Sequence, residues 1–183
     1  MNQELANRLA VLTRLVKKSP SRDLGRTAIM KLSYFLAAVR DVPLGYRFTL
    51  YSYGPFDSAV LQDVDLASNL GALMSRPVSY ATGIGYSIQP ANGSDEVESL
   101  AKDFLDEHEG DIDWVIEEFG KLNATELELA STIVYIDRES ASGQINSDEL
   151  ARRVHDVKPH FAIDRILGRI ENLKAKNLLT ASE

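Results

Sequence analysis

The residue types that most often carry out catalysis or bind metals are sparse in this chain of 183 residues. It contains three histidines and no cysteine, which excludes disulfides, thiolate metal sites and cysteine nucleophiles. His155 and His160 flank Lys158-Pro159, and no serine or paired carboxylate stands in a recognisable catalytic relation to either histidine. The sequence therefore predicts a protein that is not an enzyme, with no catalytic, cofactor-binding or metal-binding residues.

The third histidine, His108, lies in the acidic tract DEHEGDID at 106–113. Hard cations prefer carboxylate oxygens, and this tract offers several. Its spacing differs from that of an EF-hand loop, which has acidic residues at alternate positions and a closing glutamate. We interpret the tract as acidic helix ends facing solvent, or as a surface for a cationic partner.

The net charge of −7 conceals a segregation of charge along the chain. Residues 1–60 carry nine Lys or Arg against four Asp or Glu, whereas residues 61–140 carry four against 17. Five early cations are candidates for contacts with phosphates or with an acidic partner: Arg14, Lys17, Lys18, Arg22 and Arg26. The protein's own acidic middle segment is an equally good candidate to face them, and solvated faces of opposite charge are a third interpretation.

The stretch YSYGPFDSAV at 51–60 lies where the predicted secondary structure changes. Two helices are predicted ahead of it, over 4–18 and 25–40, from apolar residues at helical spacing. Alternation over 46–53 then predicts a strand. Gly54-Pro55 is predicted to end that strand, because proline has no N–H for a sheet ladder and costs ~3 kcal/mol inside a helix.

The residues after this turn predict a helix and then a hairpin. Asp57 is a predicted N-cap, and Gly54 is predicted to have a positive φ, so the stretch reads as a corner from strand to helix. Short runs at 75–80 and 85–89 predict a β-hairpin, and residues 91–94 predict a linker.

Beyond the linker the pattern is wholly helical, with short helices expected at 95–107 and 112–121. Capping signals at Asn123 and Asn146 each precede a further helix, and the last helix is expected over 162–176. The sequence thus predicts a mainly α protein of the α+β class.

The predicted order of elements is helix, helix, strand, helix, hairpin, which is the order of a winged helix. Residues 1–90 are therefore predicted to form a winged-helix-like unit with a small β-hairpin. Residues 95–183 are predicted to form a helical unit, with a second helix-turn-helix-like segment at 123–180.

The chain resembles the YwgA-like proteins, which are related in pattern to the Panacea-domain (SocA- and GepA-like) antitoxin proteins. The similar segments are GRTAIMKLSYFL at 25–36, GYRFTLYSYGPFDSAVLQDVDLASNLG at 45–71 and LNATELELASTIVYI at 122–136. The shared pattern is a Lys-Leu-x-Tyr helix and an aromatic strand that closes in Tyr-Gly-Pro. It falls on Lys31, Leu32, Tyr34, Tyr53, Gly54 and Pro55. The resemblance implies a mostly helical protein without established enzymatic activity, and the Panacea relationship implies neutralisation of a partner protein.

A partner-binding set follows from the motif and the aromatic strand: Tyr51, Tyr53, Gly54, Pro55, Lys31 and Tyr34. Alternation places the tyrosines at 51 and 53 on one face of a strand, where they would either contact a partner or cover the helices. The predicted function is non-catalytic regulation through protein–protein contacts, antitoxin-like or adaptor-like, with a toxin or other cognate protein as partner.

Nucleic-acid binding by a winged-helix transcriptional regulator, through the basic residues of the first two helices, is the alternative prediction. The third helix disfavours reading of a DNA groove, since residues 58–73 include Asp63 and Asp65 and no Lys or Arg. The charged N-terminus and the short apolar run YFLAAV, well below the ~20 residues of a membrane span, predict a cytoplasmic protein without membrane contact.

Overall fold

A computed structural model describes residues 1–21, 23–80, 83–140 and 145–180. Over these residues the protein is mainly helical, with eight helices and two antiparallel hairpins. The predicted α+β class is confirmed. In chain order the elements are α1 (Gln3–Lys18), α2 (Arg26–Val39), β1 (Thr49–Tyr51), β2 (Gly54–Phe56), α3 (Ser58–Asn69), β3 (Leu73–Tyr80), β4 (Gly83–Pro90), α4 (Ser94–Ser99), α5 (Lys102–Phe119), α6 (Ala124–Glu139), α7 (Ser147–Val157) and α8 (Ile163–Ala175).

Helices α1 and α2 contribute much of the hydrophobic core. α1 begins after the N-cap Asn2, whose side chain accepts a hydrogen bond from the Leu5 N–H at 2.9 Å. Ile29, Leu32 and Leu36 of α2 are fully buried, and the ring of the buried Phe35 stacks on that of Phe119 in α5 with centroids 3.8 Å apart. The buried apolar residues form one cluster that extends from Leu9 to Leu178.

Residues 49–56 form a β-hairpin, so the predicted strand that ends at a strand-to-helix corner is wrong. β1 pairs antiparallel with β2, with Leu50 opposite Pro55, and the chain reverses at residues 52–53. The proline is accommodated because both strands of a two-stranded hairpin are edge strands. Gly54 has φ +88° as predicted, and Asp57 caps α3 by accepting from the Ala59 N–H at 2.9 Å.

The second hairpin, β3–β4, confirms the predicted one and extends it to eight residues in each strand. Residues 81 and 82 lie outside the described residues. Leu24 and Ile88 exchange two backbone hydrogen bonds of 3.0 and 2.9 Å, which attach β4 to the segment before α2. The observed order is therefore helix, helix, hairpin, helix, hairpin, and the winged-helix description of residues 1–90 stays a prediction.

The segment predicted as a linker is hydrogen-bonded to the turn between α3 and β3. Ser94 is buried, and its hydroxyl donates to the Ala72 carbonyl at 2.7 Å. The predicted break at 108–111 is wrong: it lies at residues 100–101, between α4 and α5. α5 continues through Gly110 because its buried apolar face outweighs the ~1 kcal/mol cost of a glycine in a helix interior. The capping box at Asn123 is present, and Asn146 caps α7. The division of the chain into two units stays a prediction.

Within the described residues, no helix combines the length and the apolar character needed to cross a membrane.

Candidate functional site

The β1–β2 hairpin, which we call the tyrosine hairpin, lies directly on α6. A Cβ atom at Gly54 would lie 2.9 Å from the Thr132 Oγ1 and 3.2 Å from the Ser131 Oγ. With φ at +88°, this position strongly favours glycine on two independent grounds. The positive φ could be predicted from the sequence, whereas the close approach to α6 is seen only in the structure.

Lys31 holds one strand of the tyrosine hairpin from inside the protein. Its side chain is 2% exposed, and its Nζ donates to the Pro55 carbonyl at 2.6 Å. Burial is the main cause that lowers the pKa of Lys31 to about 8; the charge of Glu128 opposes the shift, and that of Lys158 adds to it. Lys31 therefore supports the hairpin backbone and has no surface to offer a partner.

Lys158 holds the other strand. It is 3% exposed, and its Nζ donates to the Tyr51 carbonyl at 3.2 Å and to the Ser52 carbonyl. The same Nζ lies 3.0 Å from the Glu128 Oε1, an ion pair whose geometry is not that of a well-aligned hydrogen bond. The His160 Nε2 lies 3.5 Å from that oxygen.

Glu128 forms an ion pair with Lys158, whereas among the described residues no ion pair joins it to Lys31, on which it acts only through its charge. The two buried ammonium groups bind three carbonyls of the tyrosine hairpin. We call Lys31, Glu128 and Lys158 the buried charge triad. Sequence reasoning placed Lys31 in the partner-binding set and did not select the other two for this role. Lys158 lies 107 residues from Tyr51 in the chain, and no local pattern signals a pairing at that separation.

The tyrosines of the hairpin project into solvent. Tyr51 is 66% and Tyr53 is 69% exposed. They do not share a strand face as the alternation predicts, because Tyr53 lies in the turn between β1 and β2. Tyr34 has a different environment: it is buried in the core, where its ring contacts those of Phe48 and Tyr135. The structure therefore brings Lys31 to the tyrosine hairpin and places Tyr34 in the core, and of the six predicted partner-binding residues only the two hairpin tyrosines are exposed.

The basic residues of α1 contact the protein's own acidic segment. Arg14 lies 3.0 Å from Glu98 and 2.8 Å from Glu109. The pKa of Arg14 is above its ordinary value, chiefly because of the hydrogen bond to Glu98. The other contacts are those of Lys17 with Asp95 and Glu98, and of Lys18 with Glu109 and Asp113. These three cations are engaged within the protein.

The remaining two predicted cations differ from those of α1. Arg22 lies outside the described residues. The Arg26 guanidinium stands 3.5 Å from the centre of the Tyr86 ring, and it makes only a loose ion pair with Asp65 at 3.6 Å. Arg26 is thus held in place by stacking while much of its hydrogen-bonding capacity remains unused.

The acidic tract at 106–113 lies inside α5 and attaches this helix to α1 and α2. Asp111 contacts Arg40 at 2.7 Å and His108 at 3.2 Å. Burial by itself would raise the pKa of Asp111, but hydrogen bonds from these two side chains outweigh burial and lower it. In the described part of the chain, no three His, Asp or Glu side chains converge as metal ligands would. The interpretation of the tract as solvated helix ends is therefore wrong for Asp111 and for the two acids that bind Lys18.

No protein-family model matches the chain, and no curated protein is significantly similar to it in sequence. The resemblance to the YwgA-like and Panacea-domain proteins stays a prediction that rests on the motif residues.

The lowered pKa of Lys31 makes stability dependent on pH. Its pKa is about 8 in the folded protein and 10.5 ordinarily, so between these values the unfolded chain binds more protons and the free energy of unfolding rises with pH. Burial raises the pKa of Tyr34 and Tyr46. Above pH ~10 the unfolded tyrosines ionise first, and stability falls again.

We expect urea unfolding between pH 8 and 10 to show the wild type gaining about 2 kcal/mol relative to Lys31→Met, in which the opposing tyrosine titration is unchanged. Lys31→Met should lack this rise, because the titrating group is gone. Lys102→Met is the matched control: its side chain is 72% exposed, and the rise should persist. An equal rise in the Lys31→Met variant would contradict the assignment of the titration to Lys31.

Proposed function

We propose that the chain is a non-catalytic regulatory protein that acts by binding another protein through the tip of the tyrosine hairpin. The observation that carries this proposal is the pair of tyrosines, 66% and 69% exposed, on a backbone whose carbonyls are bound by two buried lysines. Tyrosine is enriched at the energetic centres of protein interfaces, because it contributes a large contact area at a low cost in conformational entropy.

The buried charge triad supports the proposal because its lysines bind the backbone on both sides of the tip. Burying charges carries a large desolvation cost, and apolar replacements of such groups are often neutral or stabilising. Retaining two lysines and a glutamate here makes physical sense if the hairpin conformation matters, since the lysines supply donors to the carbonyls of Tyr51, Ser52 and Pro55. A pre-ordered loop binds more tightly because less entropy is lost on association.

Nucleic-acid binding through α1 has less support. Phosphate contacts by Arg14, Lys17 and Lys18 would require their ion pairs with the acidic segment to open. On α3, the acidic side chain of Asp63 is likewise engaged within the protein, since it accepts hydrogen bonds from Arg8 at 2.7 Å and from Tyr46 at 2.8 Å.

The resemblance to Panacea-domain proteins makes a toxin or another cognate protein the partner class, which the chain would neutralise or present to other factors. We place this interaction in the cytoplasm.

Affinity purification with three baits tests the proposal. The wild type and Leu70→Ala should retain the same stoichiometric protein, because Leu70 is an exposed apolar residue at the end of α3, outside the tyrosine hairpin. The Tyr51→Ala/Tyr53→Ala double variant should bind that protein about 30-fold more weakly, the loss of an interface hot spot.

Unchanged affinity of the double variant would contradict a role for the hairpin tip. If the retained protein is a toxin, its expression alone should arrest growth, and co-expression of the wild-type chain should restore growth while the double variant should not.

A further inference from the structure

We propose that a groove between the two hairpins receives an acidic segment of the protein partner, in which an apolar side chain lies beside a carboxylate. This inference rests on the proposed function and specifies the chemistry of the partner. Two adjoining cavities of about 130 and 460 Å³ share Arg26 and Thr27, on the first turn of α2. The smaller cavity extends to Tyr53 of the tyrosine hairpin, and the larger extends to Ile84 and Tyr86 of β4. We call the two together the α2 groove.

The smaller cavity suits one apolar side chain. Its walls include Met30, Phe56 and Leu61. Its volume equals that of about four waters at ~30 Å³ each, which is too small for a large ligand. Tyr53 lines this cavity and is 69% exposed, so a segment bound at the hairpin tip lies next to the cavity.

The charge in the α2 groove is complementary to a carboxylate. Arg26 lines both cavities, and no Asp or Glu is found among the described residues that line them. Asp65, which lies outside this lining, makes only the loose contact of 3.6 Å with Arg26. The Arg26 Nε is buried and lacks a hydrogen-bond partner among the described residues. Stacking on Tyr86 fixes the guanidinium plane, so a carboxylate can bind it without first ordering the side chain.

The first turn of α2 adds to the positive electrostatic potential of the α2 groove. No side chain caps this helix at Gly25, and its first turn carries no acidic residue. The positive end of the helix therefore has no counter-charge within the helix, and the turn lines the larger cavity.

An acidic protein segment fits this groove better than a nucleic acid does. Nucleic-acid binders typically contact ~6–10 phosphates, and the α2 groove exposes a single guanidinium beside apolar walls. A protein segment with one carboxylate and one neighbouring apolar side chain can bind the guanidinium and the apolar walls at the same time.

Selection from a random peptide library displayed on phage, with the full chain as target, tests the inference. We expect the enriched sequences to pair Leu, Met or Phe with a neighbouring Asp or Glu. Measured by fluorescence anisotropy, a synthetic peptide from this set should bind Arg26→Gln about tenfold more weakly than the wild type, the loss of one charge-assisted hydrogen bond. Arg152→Gln is the control, since Arg152 is a surface arginine of α7 with a 65% exposed side chain.

Thr27→Glu separates loss of binding from loss of folding. A glutamate in the first turn of α2 stabilises the helix, so its thermal midpoint should not fall, while the added carboxylate should repel the acidic peptide. Enriched peptides without acidic residues, or equal binding by Arg26→Gln, would overturn the inference. If those peptides still depended on Tyr51 and Tyr53, the proposed function would stand. Enrichment of no peptide, or binding of a labelled oligonucleotide that requires Arg26, would also overturn the inference.

Discussion

Replacement of Glu128 by alanine is expected to lower the free energy of unfolding by about 3–5 kcal/mol, because it leaves buried charge without a counter-ion. Lys31 and Lys158 are 2% and 3% exposed, so neither can turn to water without unfolding its surroundings. Urea unfolding followed by circular dichroism at pH 7 measures the loss. The loss should shrink as the pH rises above 8, since Lys31 then sheds its proton more readily.

Glu139→Ala provides the matched control on the same helix. Glu139 is exposed at the end of α6, and surface substitutions of this kind change stability by about 0.5 kcal/mol or less. Equal losses for Glu128→Ala and Glu139→Ala would show that the lysines do not depend on Glu128.

A triple apolar variant, Lys31→Met/Glu128→Leu/Lys158→Met, distinguishes stability from specificity. Buried ion pairs replaced by apolar groups of similar volume often leave stability unchanged or increased. We therefore expect the triple variant to unfold near the wild-type midpoint. The carbonyls of Tyr51, Ser52 and Pro55 would lose their donors, so partner binding should weaken although the fold persists.

Replacement of Gly54 by valine is expected to cost about 3 kcal/mol or more, combining backbone strain with a steric clash. At φ +88° an L residue is strained, and the new Cβ would lie 2.9 Å from the Thr132 Oγ1. Pro55→Ala should cost only about 1 kcal/mol, chiefly through greater freedom of the unfolded chain. Thermal unfolding of the two variants measures the difference, and equal midpoints would contradict it.

Gly71 allows the two contributions at Gly54 to be separated. It has φ +75°, similar to that of Gly54, but a Cβ there would meet no atom within 4 Å. Gly71→Ala therefore measures the backbone strain alone, about 1–2 kcal/mol. A larger loss for Gly54→Ala measures the packing of the tyrosine hairpin against α6, and losses of the same size would show that α6 yields to the added methyl group.

Local signals in the sequence were sufficient to predict the structural class of the protein and the positions of many of its helix ends. The caps at Asp57, Asn123 and Asn146 were predictable because a cap involves residues two or three positions apart. The positive φ of Gly54 was predictable for the same reason. Apolar spacing likewise marked the buried faces of α1 and α2.

Tertiary structure decided every feature of the candidate site that joins distant residues. Residues 49–56 form a hairpin because β2 packs against both β1 and α6, and a proline in an edge strand does not prevent this. Arg14 meets Glu109, 95 residues away, and Lys158 meets Tyr51 at a separation of 107. A charged residue has the same local sequence pattern whether its side chain contacts water, a ligand or another part of its own chain. Only packing, which sets burial and therefore the cost of leaving a charge unpaired, distinguishes these outcomes.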